Sequence, residues 1–429
     1  MVYKTFAKEA LEYHTARNDR DRNGKIGIEI TKRCRNENEL SLAYLPGVRY
    51  PSLEILKDSS RVYDYTNKGN FIAIISNGTS VLDLGDIGPL AVKPVMEGKA
   101  VLLKKLVNID AIDIEIDSKD IDTITTTIAS IAKSFGAINL DGFQSEACFE
   151  IERQLSKNLQ TPIFYDTLYV DAVITTAILF NFMELANKRA KEIKAVIIGT
   201  DSSAIATAKL YKRAGIGQLY LFDAKGILSK ERDDLSSYLK EFTSNRPISL
   251  KDALDGASVL FIAQKCSGAI NEEMVKSMDN LALIIATNNP LPEFLPERIK
   301  EIKPEAIVAT NDKNFPNYID KLLVFPSFLR ALLDVRATRI TETMLMDAAK
   351  ALAALAKEEV PPYVRRVFKD DDIAFGSEYI IPSIYDKRVM LYVATAVAER
   401  AVREEVTQIR SFIRDRYEKY IQEISENLY

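Results

Sequence analysis

The feature that most constrains the fold is a strand–helix–strand unit in the middle of the chain. Residues 195–199 form an apolar run, a helical pattern follows through residue 213, and residues 217–223 form a second apolar run that ends in an acid. Two strands joined by such a helix pair in parallel, because the helix returns the chain to the same end of the sheet. Further apolar runs near Gly, Asn or Pro turns follow at 258–262, 282–286 and 306–309. We therefore expect a doubly wound, mostly parallel α/β sheet.

The N-terminal half shows a second alternation of strands and helices. Residues 71–76 read as a strand closed by Asn77-Gly78, with 80–84 as a candidate hairpin partner. The other predicted elements are a strand at 111–116, a helix at 121–135, a strand at 137–140 and a long helix at 171–190. We place a first α/β domain at 1–164, the doubly wound domain at 165–345 and a C-terminal helical segment at 346–429.

The C-terminal segment carries one apolar stripe. Its members recur at spacings of three and four, which predicts one face of a helix; they are Val406, Ile409, Ile413, Tyr417, Tyr420 and Ile424. We expect this face to pack on the body of the protein or on a partner subunit.

Composition excludes several classes of protein. The formal charge is −4, which argues against nucleic-acid binding through a basic surface. The three cysteines are far apart and give no metal-ligand spacing, which favours a reducing compartment. The N-terminus lacks the apolar core of a signal peptide, and the apolar run at 172–182 is too short to span a bilayer. These features predict a cytoplasmic protein without a membrane partner.

The turn after the 195–199 strand predicts a dinucleotide site. Such sites have the pattern Gly-x-Gly-x-x-Gly/Ala, and this chain reads GTDSSA from Gly199 to Ala204. Asp201 replaces the second glycine, and a carboxylate about 5 Å from a phosphate costs on the order of 3 kcal/mol. Asp223 ends the next strand and suits a ribose diol, which favours NAD over NADP. We assign Gly199, Ser202 and Asp223 to a weakened NAD site.

Several blocks along residues 8–400 resemble the malic enzyme family in its compact form, and they occur in the family's order. They are AYLPGV (43–48), YDYT (63–66), SNGT (76–79), GDIGP (85–89), KPVMEGK (93–99), CFEIE (148–152), NPLPE (289–293), FPN (315–317) and LDVRAT (333–338). The resemblance implies a malic-enzyme-type N-terminal α/β domain, a Rossmann-like NAD-binding domain and C-terminal helices. It also implies self-association.

The family oxidises malate with NAD or NADP and decarboxylates the product to pyruvate. A lysine acts as general base and a tyrosine as general acid. By motif, the resemblance places Lys93 and Tyr44 in these roles. Asp166 matches an acid that supports the lysine.

The resemblance fails at the metal ligands. The family supplies a Glu-Asp pair where this chain has Asp141 and Gly142, and an Asp where it has Thr167. A hard dication such as Mg²⁺ or Mn²⁺ takes about six oxygens, including carboxylates, so binding is doubtful with Asp141 as the one retained acid. A relocated site could use Asp171, four residues after Thr167, or Glu146.

The positions that the resemblance assigns to substrate contacts match the family's pattern only in part. Asn289 matches a substrate-binding asparagine beside the cofactor. A second asparagine of the family corresponds to Asp320, whose carboxylate would repel a dicarboxylate.

Three functions follow as hypotheses. The first is a malic-enzyme-like protein with lost or strongly reduced activity and a binding or regulatory role, paired with itself or with an active relative. The second is an active NAD-dependent enzyme with a rebuilt metal site. The third is a structural role as an obligate oligomer.

Overall fold

The computed structural model describes residues 2–15, 23–81, 84–264, 269–287 and 296–428. In the described part of the chain, the α-helices before the first strand are α1 (Val2–His14), α2 (Glu37–Ala43), α3 (Arg49–Lys57) and α4 (Val62–Tyr65). They carry exposed apolar side chains, among them Phe6, Leu11, Leu42, Tyr50 and Leu56. This N-terminal region therefore presents an apolar surface that the rest of the described chain does not cover.

The first sheet has four parallel strands in the order β2-β1-β3-β4. The strands are β1 (Phe71–Ser76), β2 (Asp110–Glu115), β3 (Ala137–Leu140) and β4 (Ile163–Tyr165). Each is joined to the next by a helix: α5 (Gly88–Val107), α6 (Ile121–Ile131) and α7 (Ser145–Asn158). The carboxyl ends of β3 and β4 lie side by side, and the residues that follow them meet at one edge of the sheet. The predicted boundary at 164 falls within β4.

The long helix α8 (Asp166–Leu185) follows β4 directly. By length and composition alone it could cross a membrane, but most of it is buried inside the protein. It packs on α9 (Ser202–Arg213) and on α14 (Glu342–Ala356), which makes it a core helix. Its start at Asp166, five residues before the predicted start, brings Asp166 and Thr167 into the first turn.

The second sheet has the order β10-β9-β8-β5-β6-β7, parallel except for β7. Its strands are β5 (Lys194–Ile198), β6 (Gln218–Asp223), β7 (Gly226–Ile227), β8 (Val259–Ile262), β9 (Leu283–Ala286) and β10 (Ile307–Thr310). Its other helices are α10 (Leu250–Leu254), α11 (Glu272–Ser277) and α12 (Pro296–Ile302). The predicted doubly wound α/β fold is confirmed, with the order reversing beside β5.

The remaining helices follow the second sheet along the chain. They are α13 (Phe325–Asp334), α15 (Pro362–Phe368), α16 (Arg388–Arg403) and α17 (Arg414–Leu428). α13 and α17 both contact α5, and α14 packs on α16. One apolar core runs from β1 through α8 and α13 to α16. The two sheets are thereby joined through shared helices.

Two local predictions are wrong. β1 pairs with β2 and β3 on its two sides, so it forms no hairpin with 80–84; the chain turns at Gly78 and enters α5 instead. The C-terminal stripe is not one helix, because α16 ends before Glu405, which has φ +56°. The next residues bond to the chain near Arg336, where Gln408 N donates to the Arg336 carbonyl at 3.1 Å, before α17 begins.

Candidate active site and nucleotide cleft

Lys99 lies at the centre of the cleft beside the first sheet. Its ammonium is 2.8 Å from the Asp141 carboxylate and also donates to Asp166. Asp141 follows β3 and Asp166 follows β4, so the parallel strands bring both acids to one edge of the sheet. The Lys99 side chain is only 8% exposed, and its ammonium lies 5.2 Å from the centre of the Phe325 ring. The result is a triad of one cation and two acids, in which Lys99 and Asp166 are buried and Asp141 is partly exposed.

Asn139 fixes one of these acids. Its amide nitrogen donates to Asp166 Oδ1 at 2.6 Å and to the Phe164 carbonyl at 3.1 Å. The Asn139 amide oxygen is buried and has no hydrogen-bond partner among the described residues. Asp166 is therefore held from both sides, by an amide and by an ammonium.

The charges in the triad stabilise one another. Burial disfavours the charged form of Lys99, but the carboxylates of Asp141 and Asp166 outweigh it and raise the Lys99 pKa. Burial also raises the pKa of Asp166. The pKa of Asp141 is lowered despite its burial, because Lys99 and Lys321 face it. Lys99 is thus an ammonium at neutral pH.

The structure places Lys93 elsewhere, so the expectation that it meets Asp166 is not fulfilled. Lys93 pairs with Asp113 at 2.5 Å and Glu115 at 3.5 Å, and its side chain is 46% exposed. Six residues turn an α-helix by about 600°, so Lys93 and Lys99 point to different sides of α5. A signal was present in the sequence, since Lys99 shares the buried stripe of Met96 and Leu103 at helical spacing.

The three positions expected to supply metal ligands are occupied by Asp141, Gly142 and Thr167, which differ in their side chains. Gly142 has φ +73°, and a Cβ added there would lie 2.6 Å from the Ser76 hydroxyl. The Thr167 hydroxyl lies 3.8 Å from the Cys148 sulfur. Burial raises the Cys148 pKa to about 12, so this thiol stays protonated. Neither Gly142 nor Thr167 provides a charged oxygen.

Asp171 joins the two helices that border the cleft. Its carboxylate accepts a hydrogen bond from the Ser203 hydroxyl at 3.0 Å, which ties α8 to α9. Glu146 is exposed in the first turn of α7. Of the two acids proposed for a relocated metal site, Asp171 is therefore hydrogen-bonded between two helices, whereas Glu146 is exposed on a third.

Sequence reasoning missed Lys321, which begins a short 3₁₀ turn, Lys321–Leu323, at the rim of the cleft. Burial opposes its charge, but Asp171, Asp141 and Asp166 outweigh burial and raise its pKa. Asp320 lies directly before this turn, and its repulsion of a substrate stays a prediction. Asp320 caps the turn by accepting from Leu322 N at 2.9 Å, and it accepts from the Tyr318 hydroxyl at 2.8 Å. The side chain that faces the acids is a cation.

The turn between β5 and α9 has the geometry of a tight strand-to-helix connection. Gly199 has φ +127°, and a Cβ there would lie 3.1 Å from Gln264 Cγ. Asp201 caps α9 by accepting from Ala204 N at 2.9 Å. Burial raises the Asp201 pKa to about 6. Ser202 N donates to the Ser145 hydroxyl at 3.3 Å, which connects this turn to α7.

Asp223 ends β6, as predicted, and forms an ion pair with Arg232. Arg232 Nη1 and Nη2 donate to the two oxygens of Asp223 at 2.9 and 2.7 Å. Lys225 N also donates to Asp223 at 2.8 Å. Burial would raise the Asp223 pKa, but Arg232 and this amide outweigh it and lower the pKa.

Comparisons with known proteins identify the family. The malic enzyme N-terminal domain model matches residues 23–156, and the malic enzyme NAD-binding domain model matches residues 170–368. The chain belongs to the malic enzyme family. It is 40% identical to the NADP-dependent malic enzyme of Halomonas elongata, covering 92% of this chain and 93% of that protein. It also superposes on the malic enzyme of Pyrococcus horikoshii with a TM-score of 0.88 at 34% identity, covering 98% and 96% of the two chains.

Other relatives in the malic enzyme family are longer. The probable NADP-dependent malic enzyme of Rickettsia prowazekii is 40% identical over 96% of this chain, which spans only 54% of that protein. The matched NAD-binding domain supports a nucleotide cofactor.

A divalent cation of the kind that the malic enzyme family uses does not fit the residues present. Among the described residues, no group of three or more His, Cys, Asp or Glu side chains is placed to hold a metal ion. Asp141 is bonded to Lys99, and Gly142 has no side chain. Asp171 and Glu146 do not complete such a group.

Two residues expected from the malic enzyme resemblance do not lie in the described cleft. Tyr44 follows α2 and is 71% exposed on the apolar N-terminal surface, beside Leu42 and Leu45. Its role as a proton donor stays a prediction. Asn289 lies outside the described residues.

Proposed function

We propose that this protein binds NAD or NADP together with a small dicarboxylate of the malate class. We also propose that its oxidative decarboxylation of malate is strongly reduced, so that its main role is binding or regulatory. The observation that carries the proposal is the buried contact of Lys99 with Asp141 and Asp166. The names of the relatives support the family reaction as the ancestral chemistry, and the altered residues support its weakening.

The weakening has a physical basis in charge stabilisation. A metal acting as a Lewis acid contributes several kcal/mol to such a reaction, and about 4 kcal/mol is about a thousandfold in rate. The described residues offer no such ligand set. We therefore expect turnover at least about a thousandfold below that of an ordinary enzyme of 10 s⁻¹.

Lys99 suits anion binding better than proton abstraction. A general base must be neutral before it acts, but two carboxylates raise the Lys99 pKa and keep the ammonium form. An ammonium provides three N–H donors, of which Asp141 and Asp166 take two. The third can hydrogen-bond an oxygen of the ligand.

We also propose that the protein self-associates through its N-terminal surface, as a homodimer or with an active relative. Exposed apolar side chains such as Phe6, Leu42, Tyr50 and Leu56 support this, because monomers rarely expose large apolar patches. Sedimentation of the protein alone and mixed with a relative measures both options. The burial of α8 is compatible with a soluble protein, and a cytoplasmic location stays a prediction.

The test combines ligand binding with turnover. Thermal unfolding is followed with NAD, NADP, malate and Mn²⁺, each alone and in combination, and malate turnover is assayed on the same sample. A bound ligand at a hundred times its Kd stabilises by about 2.7 kcal/mol. We expect stabilisation by nucleotide and by malate, with turnover too slow for an ordinary enzyme. Turnover at ordinary rates that depends on Mn²⁺ would instead support a rebuilt metal site.

Lys99→Met and Lys93→Met form a matched pair within α5. We expect Lys99→Met to lose malate binding and Lys93→Met to keep it, since Lys99 contacts the cleft acids and Lys93 does not. Equal malate binding by both variants would exclude Lys99 as the anchor.

A further inference from the structure

A cavity of about 390 Å³ lies at the end of the first sheet that is opposite to the cleft. Among its lining residues, Gly69 and Asn70 directly precede β1, and Asn108 precedes β2. The acids of the cleft, Asp141 and Asp166, instead follow β3 and β4. All four strands are parallel, so their amino ends and carboxyl ends lie at opposite ends of the sheet. The cavity is therefore separate from the cleft that the proposed function uses.

Arg336, which lines this cavity, stands where a helix usually has glycine. It follows the end of α13 and has φ +51°, in the left-handed region that disfavours most side chains. Its amide donates to the Leu333 carbonyl at 3.0 Å, and Ala337 N donates to the Leu332 carbonyl at 2.8 Å. These two bonds form the helix ending in which glycine is the favoured residue. The backbone alone favours glycine at 336, so the arginine is best explained by its side chain.

The Arg336 guanidinium is held in place by an aromatic ring. It lies 4.4 Å from the centre of the Tyr63 ring, and its ion pair with Asp64 is 3.7 Å long, which exceeds hydrogen-bond range. Its side chain is 30% exposed. A guanidinium stacked in this way keeps its N–H donors in the plane of the group, where they can bind an acceptor.

A second guanidinium, that of Arg330, lines the same cavity and is buried. Its Nε donates to Asp334 at 2.9 Å, its Nη1 donates to Asn70 at 2.6 Å, and its Nη2 lies 2.6 Å from Asp334. These contacts use three of the five N–H donors of a guanidinium and leave two for a ligand. The cavity therefore combines one rigid and one partly exposed arginine.

The charges around the cavity favour a monoanion. Two arginines and one acid line it, which gives a net charge of +1. That acid, Asp334, already accepts from Arg330 at Oδ1 and from the Tyr417 hydroxyl at Oδ2. The nearby Asp64 has a second cation of its own, Arg61 at 3.6 Å. A carboxylate matches this balance, whereas a phosphate monoester, with a charge of about −1.5 to −2, exceeds it.

We propose that this cavity binds a small aromatic carboxylate, whose oxygens accept hydrogen bonds from Arg336 and Arg330. The remaining walls suit the ring of such a ligand, because they are the aromatic and aliphatic side chains of Tyr63, Tyr420, Leu333 and Ile424. A cavity of this volume holds one small organic molecule. The site is additional to the nucleotide and malate sites and does not depend on them.

Fluorine NMR titration with 4-fluorobenzoate tests the proposal. We expect the wild-type protein to bind it, and Arg336→Gly and Arg336→Asn to bind it about tenfold to a hundredfold more weakly, as for the loss of one charged hydrogen bond. Arg339→Ser removes an exposed arginine three residues further along and should bind like the wild type. The neutral probe 4-fluorobenzyl alcohol has the same ring and should bind at least tenfold more weakly.

Urea denaturation distinguishes a binding role of Arg336 from a structural one. Glycine and asparagine both suit a left-handed backbone, so we expect both variants to unfold at about the same urea concentration as the wild type. The relief of the backbone offsets the lost contact with Tyr63. Weaker binding that comes with early unfolding in both variants overturns the proposal, as does binding of 4-fluorobenzoate that is absent from the wild type or unchanged in both variants.

Competition with malate distinguishes this cavity from the cleft. We expect excess malate to leave 4-fluorobenzoate bound, and Lys99→Met to bind 4-fluorobenzoate like the wild type. Displacement by malate together with loss of binding in Lys99→Met would place 4-fluorobenzoate in the cleft, which overturns this inference and leaves the proposed function standing. A protein that binds 4-fluorobenzoate as expected but binds neither nucleotide nor malate overturns the proposed function alone.

Discussion

Arg232 donates two hydrogen bonds to Asp223, from Nη1 at 2.9 Å and from Nη2 at 2.7 Å. Asp223 ends β6, the strand whose end would lie against the nucleotide ribose. Asp234 holds the same guanidinium at 2.9 Å. An acid at this position favours the free diol of NAD, whereas an arginine nearby can hold the 2′-phosphate of NADP. One ion pair thus contains an acid and an arginine of these two kinds, and we expect their balance to set the preference between NAD and NADP.

Asp223→Ser should shift this preference towards NADP. The substitution removes a carboxylate that repels the 2′-phosphate and frees Arg232 to bind it, so we expect the ratio of the NADP and NAD dissociation constants to change by about tenfold. Calorimetry with both nucleotides measures the ratio. Asp234→Ser loosens Arg232 but keeps the Asp223 carboxylate, so this control should shift the ratio much less. If the two variants behave alike, Asp223 is not the determinant.

Nucleotide affinity should rise as the pH falls, because Asp201 has a pKa of about 6. Above this pH the carboxylate is charged and repels the pyrophosphate; below it the group is neutral. About 3% of Asp201 is neutral at pH 7.5 and about 90% at pH 5, which allows up to about a thirtyfold decrease in Kd. Titrations across this range test the effect. Asp201→Asn keeps a good helix cap and should bind tightly at every pH, with no such dependence.

The buried pair Arg330–Asp334 should contribute strongly to stability. Arg330 Nε lies 2.9 Å from Asp334, Nη1 donates to Asn70 at 2.6 Å, and the Tyr417 hydroxyl donates to Asp334 at 2.9 Å. Arg330→Met leaves a buried acid without its cation, so the free energy of unfolding should fall by about 3–5 kcal/mol. Urea denaturation measures it. Arg298→Met, which breaks an exposed pair, should cost at most about 1 kcal/mol.

Alanine substitutions at Gly142 and Gly85 distinguish the free-energy cost of backbone strain from the cost of steric contact. Both have φ near +72°, but a Cβ at Gly85 meets nothing within 4 Å, whereas one at Gly142 meets the Ser76 hydroxyl at 2.6 Å. Gly85→Ala should cost about 1–2 kcal/mol from φ alone. Gly142→Ala should cost about 1–3 kcal/mol more, because Ser76 must give up its hydrogen bond from Gly78 N. Equal losses in urea denaturation would mean that Ser76 moves freely.

Strand positions were predictable because β-branched runs closed by turn residues have few alternatives. β1 and β3 occupy the predicted residues, and the core strands of the second sheet begin or end within one residue of prediction. The pairing of β1 was not predictable. A Gly turn after a strand is compatible with a hairpin or with entry into a helix, and only the long-range pairing with β2 and β3 decides between them.

The site was less predictable, since it depends on which residues point into the cleft. The KPVMEGK block contains two lysines. The motif alone led to the prediction that Lys93 is the lysine of the site, but Lys99 is the one on the buried face of α5. In the same way, Asp320 and Lys321 are adjacent in sequence, but one caps the turn and the other faces the acids. The role of Asp171 needed the contact between α8 and α9, which no local pattern contains.

The close approach of Gly142 to Ser76 has an evolutionary consequence. A carboxylate introduced at 142 meets the buried Ser76 hydroxyl first, so we expect this change to destabilise the protein unless Ser76 has already been replaced. A second carboxylate, at position 167, requires a further substitution. Acids at positions 142 and 167 therefore take three substitutions in all, and the change at Ser76 has to come before the one at 142.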